Sequence, residues 1–313
     1  MSADQTTTAR ASRAQGGFGA RLRNALPDRV DGRVRFFGWL SLIVETTIIA
    51  TGGAVRLTGS GLGCPTWPTC TPESLVPTPE MGLHGFIEFG NRTMSGVVGI
   101  VALIVLVLVW RIRRERRDLF ALALVVPVGV VAQAVVGGVT VLTGLNPFIV
   151  GFHYVVSLLL VCTCAVFLVR AYAQPLARVS VVPRWFAILG HVTGLALAVT
   201  IAFGVLTTSS GPHSGDAAVV RDGFDASVLA HVHSWPGYAL VALLGAATVA
   251  AWALRLRPRR WLTAALAVVA VQIGVGVWQA REGLPEMLVG IHMVLAALSA
   301  AAYTVATMRM KQP

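Results

Sequence analysis

Charge is scarce in this sequence. Charged residues fill 12% of its 313 positions, against roughly 25% in ordinary soluble domains. With 55% hydrophobic residues and a mean hydropathy of +0.73, the chain reads as an integral membrane protein. The acidic residues, 14 in all, form no cluster suited to Mg²⁺. No HExxH and no CxxC pair occurs, which argues against zinc hydrolysis, and no glycine-rich phosphate loop is present. No short apolar run with a small-residue cleavage site comes first, so a signal peptide is not expected. The formal charge of +11 does not indicate nucleic acid, because the basic residues sit in short gaps between apolar runs rather than on one face of a module.

What is present is a series of apolar runs. At roughly 20 residues per crossing, eight segments are expected: 34–56, 84–110, 119–142, 148–170, 183–207, 228–254, 261–280 and 285–308. Arginines mark alternate gaps: Arg10, Arg13, Arg21, Arg23, Arg29, Arg33 and Arg35 at the start, RIRRERR at 111–117, then Arg170, Arg178 and Arg184, RLRPRR at 255–260, and Arg309 with Lys311. The opposite gaps hold only Arg56, Arg92, Arg221 and Arg281. The positive-inside bias therefore puts both termini in the cytoplasm and the 51–92 stretch outside, in a multi-pass protein of the plasma membrane. Residues 1–33 read as a disordered cytoplasmic tail, and 309–313 as a short second one.

The chain also repeats itself. Gln133, Val136, Gly137, Gly144, Leu145, Val150, Gly151 and His153 recur 139 residues later as Gln272, Val275, Gly276, Gly283, Leu284, Val289, Gly290 and His292. A weaker match pairs Thr58, Ser60 and Gly61 with Thr208, Ser210 and Gly211. The expected fold is all-α: two pseudo-symmetric four-helix bundles, 34–172 and 183–308, joined by a cytoplasmic linker at 173–182. An even number of crossings gives both copies one orientation.

Several polar groups stand out against this background. Glu45 lies near the middle of the first span, where an ionisable group is costly and marks a candidate site. Its plainer reading is a carboxyl neutralised by burial or bonded to a neighbouring helix. Gly52, Gly53, Gly59, Gly61 and Gly63 are expected to break the first helix and begin an outer loop. In that loop Cys64 and Cys70 flank PTWPT, close enough for a disulfide on an oxidising face, with two free thiols as the alternative. Cys162 and Cys164 lie in the fourth segment and read as core thiols.

The second segment opens with His84, Glu88 and Asn91 on one helix face, with Arg92 next. The His84 and Glu88 pair either orients an imidazole or is a plain interfacial hydrogen bond. His153 and His292 occupy the same repeat position, which favours a shared ligand role. His231 and His233 point about 200° apart, so at most one faces a given site, and Pro236 is expected to kink or cap their helix. Imidazoles on separate helices at similar depth suit a haem iron held across a bundle. His231 or His233 with His292 would form that pair in the second half; Asn91 and His153 hold the matching positions in the first.

The motif TGGAVRLTGSGLGCPTWPTC (51–70), IEFGNR (87–92), the single histidines of the fourth and eighth segments and GPHSGD (211–216) together resemble the haem A synthase family, over nearly the whole chain after residue 35. The resemblance implies an eight-helix membrane oxidoreductase of porphyrin biosynthesis. Such an enzyme oxidises the C8 methyl of haem O to the formyl group of haem A, for terminal oxidases. It implies a haem b cofactor in the C-terminal half and the substrate haem in the N-terminal half. Haem O synthase and terminal oxidase assembly factors are the implied partners, the lipid bilayer the medium, and self-association stays open.

Carried over by position, Glu88 is the functional glutamate and proton acceptor, His153 the substrate-iron ligand, His292 a haem b ligand, and Cys64 with Cys70 the loop pair. For the sixth helix His231 is preferred, because its spacing to His292 (61) is nearest that of Asn91 to His153 (62), with His233 the alternative. The family's second-helix histidine falls at Asn91, a poor iron ligand, so either His84 substitutes or His153 holds the substrate iron alone. Arg56 and Arg92 pair with haem propionates, or only snorkel. The rival functions are a b-type cytochrome of membrane electron transfer and a haem transporter.

Overall fold

The computed structural model describes residues 26–174, 179–213, 215, 216, 219 and 223–311. Most of the N-terminal tail, Arg178 and Arg221 lie outside these. Eight helices are long and apolar enough to cross a membrane: α1 (Gly32–Leu57), α2 (Gly82–Val109), α3 (Arg117–Leu142), α4 (Pro147–Ala171), α5 (Arg184–Ser210), α6 (Ala226–Ala253), α7 (Arg259–Arg281) and α8 (Glu286–Met308). The described residues contain no β-strand, only an isolated bridge between Ser180 and Lys311. A bilayer core offers backbone groups no water, so each span satisfies its own ladder. Hydroxyls in the spans do likewise: Thr46, Thr193, Thr200 and Thr207 each donate to the carbonyl four residues back, which lets them sit in lipid-length helices.

Local signals set the helix ends. Asp31 caps α1 by accepting from the Arg33 and Val34 amides; Asn146 and Asp225 do the same for α4 and α6. The Ser227 hydroxyl, with the Val228 and Ser227 amides, holds the Asp225 carboxyl below the usual carboxylate range. After α3, Gly144 and Leu145 both take positive φ, and the Leu145 amide reaches back to the Thr140 carbonyl at 2.7 Å. After α7, Gly283 and Leu284 repeat this turn, with Leu284 donating to Gln279 at 2.8 Å. This is the Schellman closure, and its two copies stand 139 residues apart, the interval of the sequence repeat.

One expectation about helix ends is corrected. Gly52 and Gly53 do not break the first helix, which runs on to Leu57. Their missing side chains admit neighbours instead: a Cβ on Gly52 would stand 3.8 Å from Asn91 Oδ1, and one on Gly53 would stand 3.6 Å from Met293 Sδ. The chain turns at Gly59, whose φ is +66°. Pro236 lies inside α6, as Pro127 lies inside α3, which excludes the cap and leaves the kink of the two expected roles.

Helices α1 to α4 pack in a closed ring, each against the next and α4 against α1. Helices α5 to α8 follow the same neighbour order, and α8 lies against α1 and α4 between the two groups. A cluster of Ile49, Leu158, Val161, Ala165, Ala297 and Ala301 fills that seam. Tyr154 crosses it and donates to the Met293 carbonyl at 2.9 Å. Glu45 is 2% exposed among these helices, with Oε1 lacking any partner.

Candidate functional site

Three histidines sit in cradles made by glycine. The His292 ring of α8 lies on Gly276 of α7, where a Cβ would come within 2.9 Å of Cε1. The His153 ring of α4 lies on Gly137 of α3, with the corresponding distance 3.4 Å. The His233 ring of α6 lies on Gly204 of α5, at 2.9 Å. A side chain at Gly276 or Gly204 would crowd an imidazole, whereas one at Gly137 would only touch it.

His233 and His292 face each other across the second group, with ring centroids 6.4 Å apart and planes 83° apart. His233 Nδ1 stands 3.0 Å from the Thr200 carbonyl. A carbonyl only accepts, so Nδ1 carries the proton and Nε2 keeps its lone pair. His292 Nε2 is 3.3 Å from Gln272 Nε2, and its Nδ1 is buried without a partner. His231 is exposed on the opposite side of α6, its Nδ1 bonded to the Ser227 carbonyl of its own helix. Of the two candidates, it is the alternative His233, and not the preferred His231, that the fold turns toward His292. The helices about α6 are joined by loops of different length, so a spacing in sequence does not report the facing residue.

In the first group, Gln133 occupies the position of Gln272. It donates to the His153 carbonyl at 2.7 Å and to Ser157 Oγ at 2.6 Å. His153 Nδ1 is also buried without a partner. Asn91 Oδ1 accepts from Thr51 at 2.7 Å, beside a cavity of about 390 Å³ bordered by Thr51, Ala54, Phe86, Gly90, Asn91 and Met94. His84 is exposed, and its Nδ1 meets Ser60 Oγ at 2.9 Å. It is engaged with the loop after α1 and stands two turns from Asn91.

That loop is closed by the Cys64–Cys70 disulfide, both cysteines being fully buried. Glu88 accepts the Cys64 amide on Oε2 at 2.6 Å and Arg92 on Oε1 at 2.5 Å. Arg92 further donates to the carbonyls of Cys64, Thr66 and Thr69 at 3.0, 3.0 and 3.1 Å. With its Nε bond to Glu88 at 3.2 Å, all five guanidinium N–H groups are engaged. Arg92 therefore holds the loop, with its donors engaged there and on Glu88 rather than free to meet a propionate. Both Glu88 oxygens are likewise engaged in fixing the loop. Arg56 points to the second group, donating to the Thr208 and His213 carbonyls at 2.8 and 2.7 Å, and His213 in turn meets the Leu284 carbonyl.

Among the described residues no three His, Cys, Asp or Glu side chains gather as metal ligands. Paired imidazoles with glycine cradles and unpartnered nitrogens suit an iron that brings its own four equatorial ligands, as haem does. The residues present thus fit a haem between His233 and His292.

Residues 35–304 match the COX15-CtaA family, cytochrome oxidase assembly proteins. The chain belongs to this family. Heme A synthases of Bacillus cereus (strain AH187), Bacillus anthracis (strain A0248) and Bacillus thuringiensis subsp. konkukian (strain 97-27) are each 34% identical to it over 142 residues. That stretch is 42% of this chain and 45% of each relative, so the match spans less than half of the curated proteins. For this COX15-CtaA member, sequence reasoning missed Thr200 and Gly204, which carry no motif and sit among apolar residues of α5. Gln133 and Gln272 were visible as repeat residues, but their bonds to the histidine turns were not.

Proposed function

We propose that the chain is a haem A synthase that oxidises the C8 methyl of haem O to a formyl group. The observation that carries this reading is the His233 and His292 pair, 6.4 Å between ring centroids, with the tautomer of His233 set by Thr200. In this reading the two histidines hold a haem b in the C-terminal half. When bound, that haem supplies one-electron redox chemistry that no amino-acid side chain present here offers. The protein's part is to fix the imidazole planes, through Gly204 and Gly276, and to keep the ligand nitrogens unprotonated.

The N-terminal half receives haem O, with His153 offering an imidazole seated on a helix glycine there. Asn91, whose carboxamide oxygen is tied to Thr51, would be a poor ligand, so His153 would hold the substrate iron alone and leave room for the small reactant that an oxidation needs. Glu88 serves by holding Arg92 and the disulfide loop over that half, and Arg56 remains the candidate partner for a propionate. The two helix groups are read as pseudo-symmetric copies, with both termini cytoplasmic and the loops after α1 and α5 on the outer face of the plasma membrane. Haem O synthase and the assembling oxidase are the expected partners, as source of substrate and acceptor of product. That the first half places Asn91, and no histidine, at the position matching the second half's sixth-helix ligand speaks against an electron-transfer cytochrome with two bis-histidine haems.

Membranes from cells expressing the chain with a source of haem O should yield a formyl haem on acid extraction, while empty-vector membranes should not. In the purified protein, His233→Ala should abolish the retained haem b spectrum, and His231→Ala should leave it intact. Extracts holding haem O alone would end the enzyme reading; loss of haem b from the His231 variant, with retention in the His233 variant, would reverse the ligand assignment.

A further inference from the structure

We propose that Trp67 is a substrate-contacting residue, a lid whose indole lies against the porphyrin bound in the N-terminal half; this rests on the reading that haem O binds there. The loop that carries Trp67 is held on both sides. The disulfide brings the Cys64 and Cys70 Cα atoms to 4.4 Å, and Arg92 takes the carbonyls of Cys64 and Thr66 before Trp67 and of Thr69 after it. Glu88 takes the Cys64 amide. A loop with this many charged hydrogen bonds holds its central side chain in place.

The place is specific. The Trp67 ring lies on Gly138 of α3, where a Cβ would come within 2.6 Å of Cε2. Gly138 follows Gly137, the glycine that seats the His153 imidazole. Two consecutive glycines of α3 thus seat two rings, one a candidate iron ligand and one an aromatic plane. The second half lacks this arrangement: at the repeat interval of 139, Gly276 matches Gly137 but Val277 stands where Gly138 would be. The indole seat therefore exists only in the half assigned to the exchanging porphyrin. A residue that merely plugged the loop would be buried like the two cysteines at 0%; Trp67 keeps 36% of its surface exposed. A porphyrin offers a broad flat π face, and offset contact with indole favours it over aliphatic packing.

The test uses the full purified chain with its resident haem, titrated with haem O. Trp67→Leu should weaken haem O binding about tenfold, and Trp67→Phe should restore most of it. Haem O should also quench a tryptophan emission component present in the parent protein and missing from Trp67→Phe. Wild-type affinity in Trp67→Leu, with no such component quenched, would overturn the proposal. If Trp67→Leu fails to fold, the Phe variant and its difference emission still decide. His153→Ala separates the two readings: binding lost there but unchanged in Trp67→Leu sinks the lid alone, whereas binding unchanged in both sinks the assignment of the N-terminal half.

Discussion

Arg92 shows how much one side chain settles. Its position beside Glu88 on a helix is readable from four-residue spacing, but the spacing says nothing about a loop some 25 residues upstream. The folded chain brings three carbonyls of that loop to the guanidinium, and Glu88 supplies the counter-charge. Lysine has three donors in place of a planar set of five. Arg92→Lys should therefore leave loop carbonyls unpaired and lower stability by about 2 kcal/mol, read as a fall in the thermal midpoint of the purified protein. An unchanged midpoint would show the guanidinium to be dispensable. The same limit explains the histidines. Helical periodicity established that His231 and His233 diverge, yet the choice between them lay in α5, whose Thr200 and Gly204 receive the second ring.

Helices were the most legible level. The apolar runs gave all eight spans within a few residues, because bilayer thickness imposes a minimum length and few residue types satisfy it. The end misread was the one at Gly52 and Gly53. Gly52 and Gly53 looked like breakers, but in a membrane helix a missing side chain is as often a place where another helix approaches. This distinction predicts opposite outcomes for two helical glycines. Gly96 has no atom within 4 Å of a built Cβ, so Gly96→Ala should be neutral or slightly stabilising. Gly276→Ala should drive a methyl into the His292 ring and change the absorption spectrum of the bound haem. Equal spectra for the two variants would dismiss the cradle. The duplicated turns at Gly144–Leu145 and Gly283–Leu284 show that the repeat reaches backbone conformation as well as residue identity.

For the whole molecule, the polar contacts that join the two helix groups include Tyr154 with Met293, Arg56 with Thr208 and His213, Ser209 with the Pro147 carbonyl, and the Gly61 amide with the Gly215 carbonyl at 2.9 Å. At the opposite end, arginines lie over aromatic rings, Arg35 on Tyr172, Arg113 on Trp110, Arg259 on Trp252 and Arg309 on Trp261. Stacked cations at a headgroup depth fit the cytoplasmic leaflet. In intact cells, an impermeant thiol reagent should label a cysteine introduced at Ser74 of the exposed loop and miss one introduced at Arg114. The reverse pattern would invert the proposed topology.

The amino-acid sequence by itself determined the membrane class, the number and length of the spans, the internal repeat and the set of side chains able to hold iron, because hydrophobic length and residue chemistry are local properties. Only the tertiary structure decided that His233 faces His292, that Arg92 is shared between Glu88 and the disulfide loop, and that Trp67 rests beside the His153 seat. Each of these depends on which helix stands opposite, and a spacing along one chain does not contain that information.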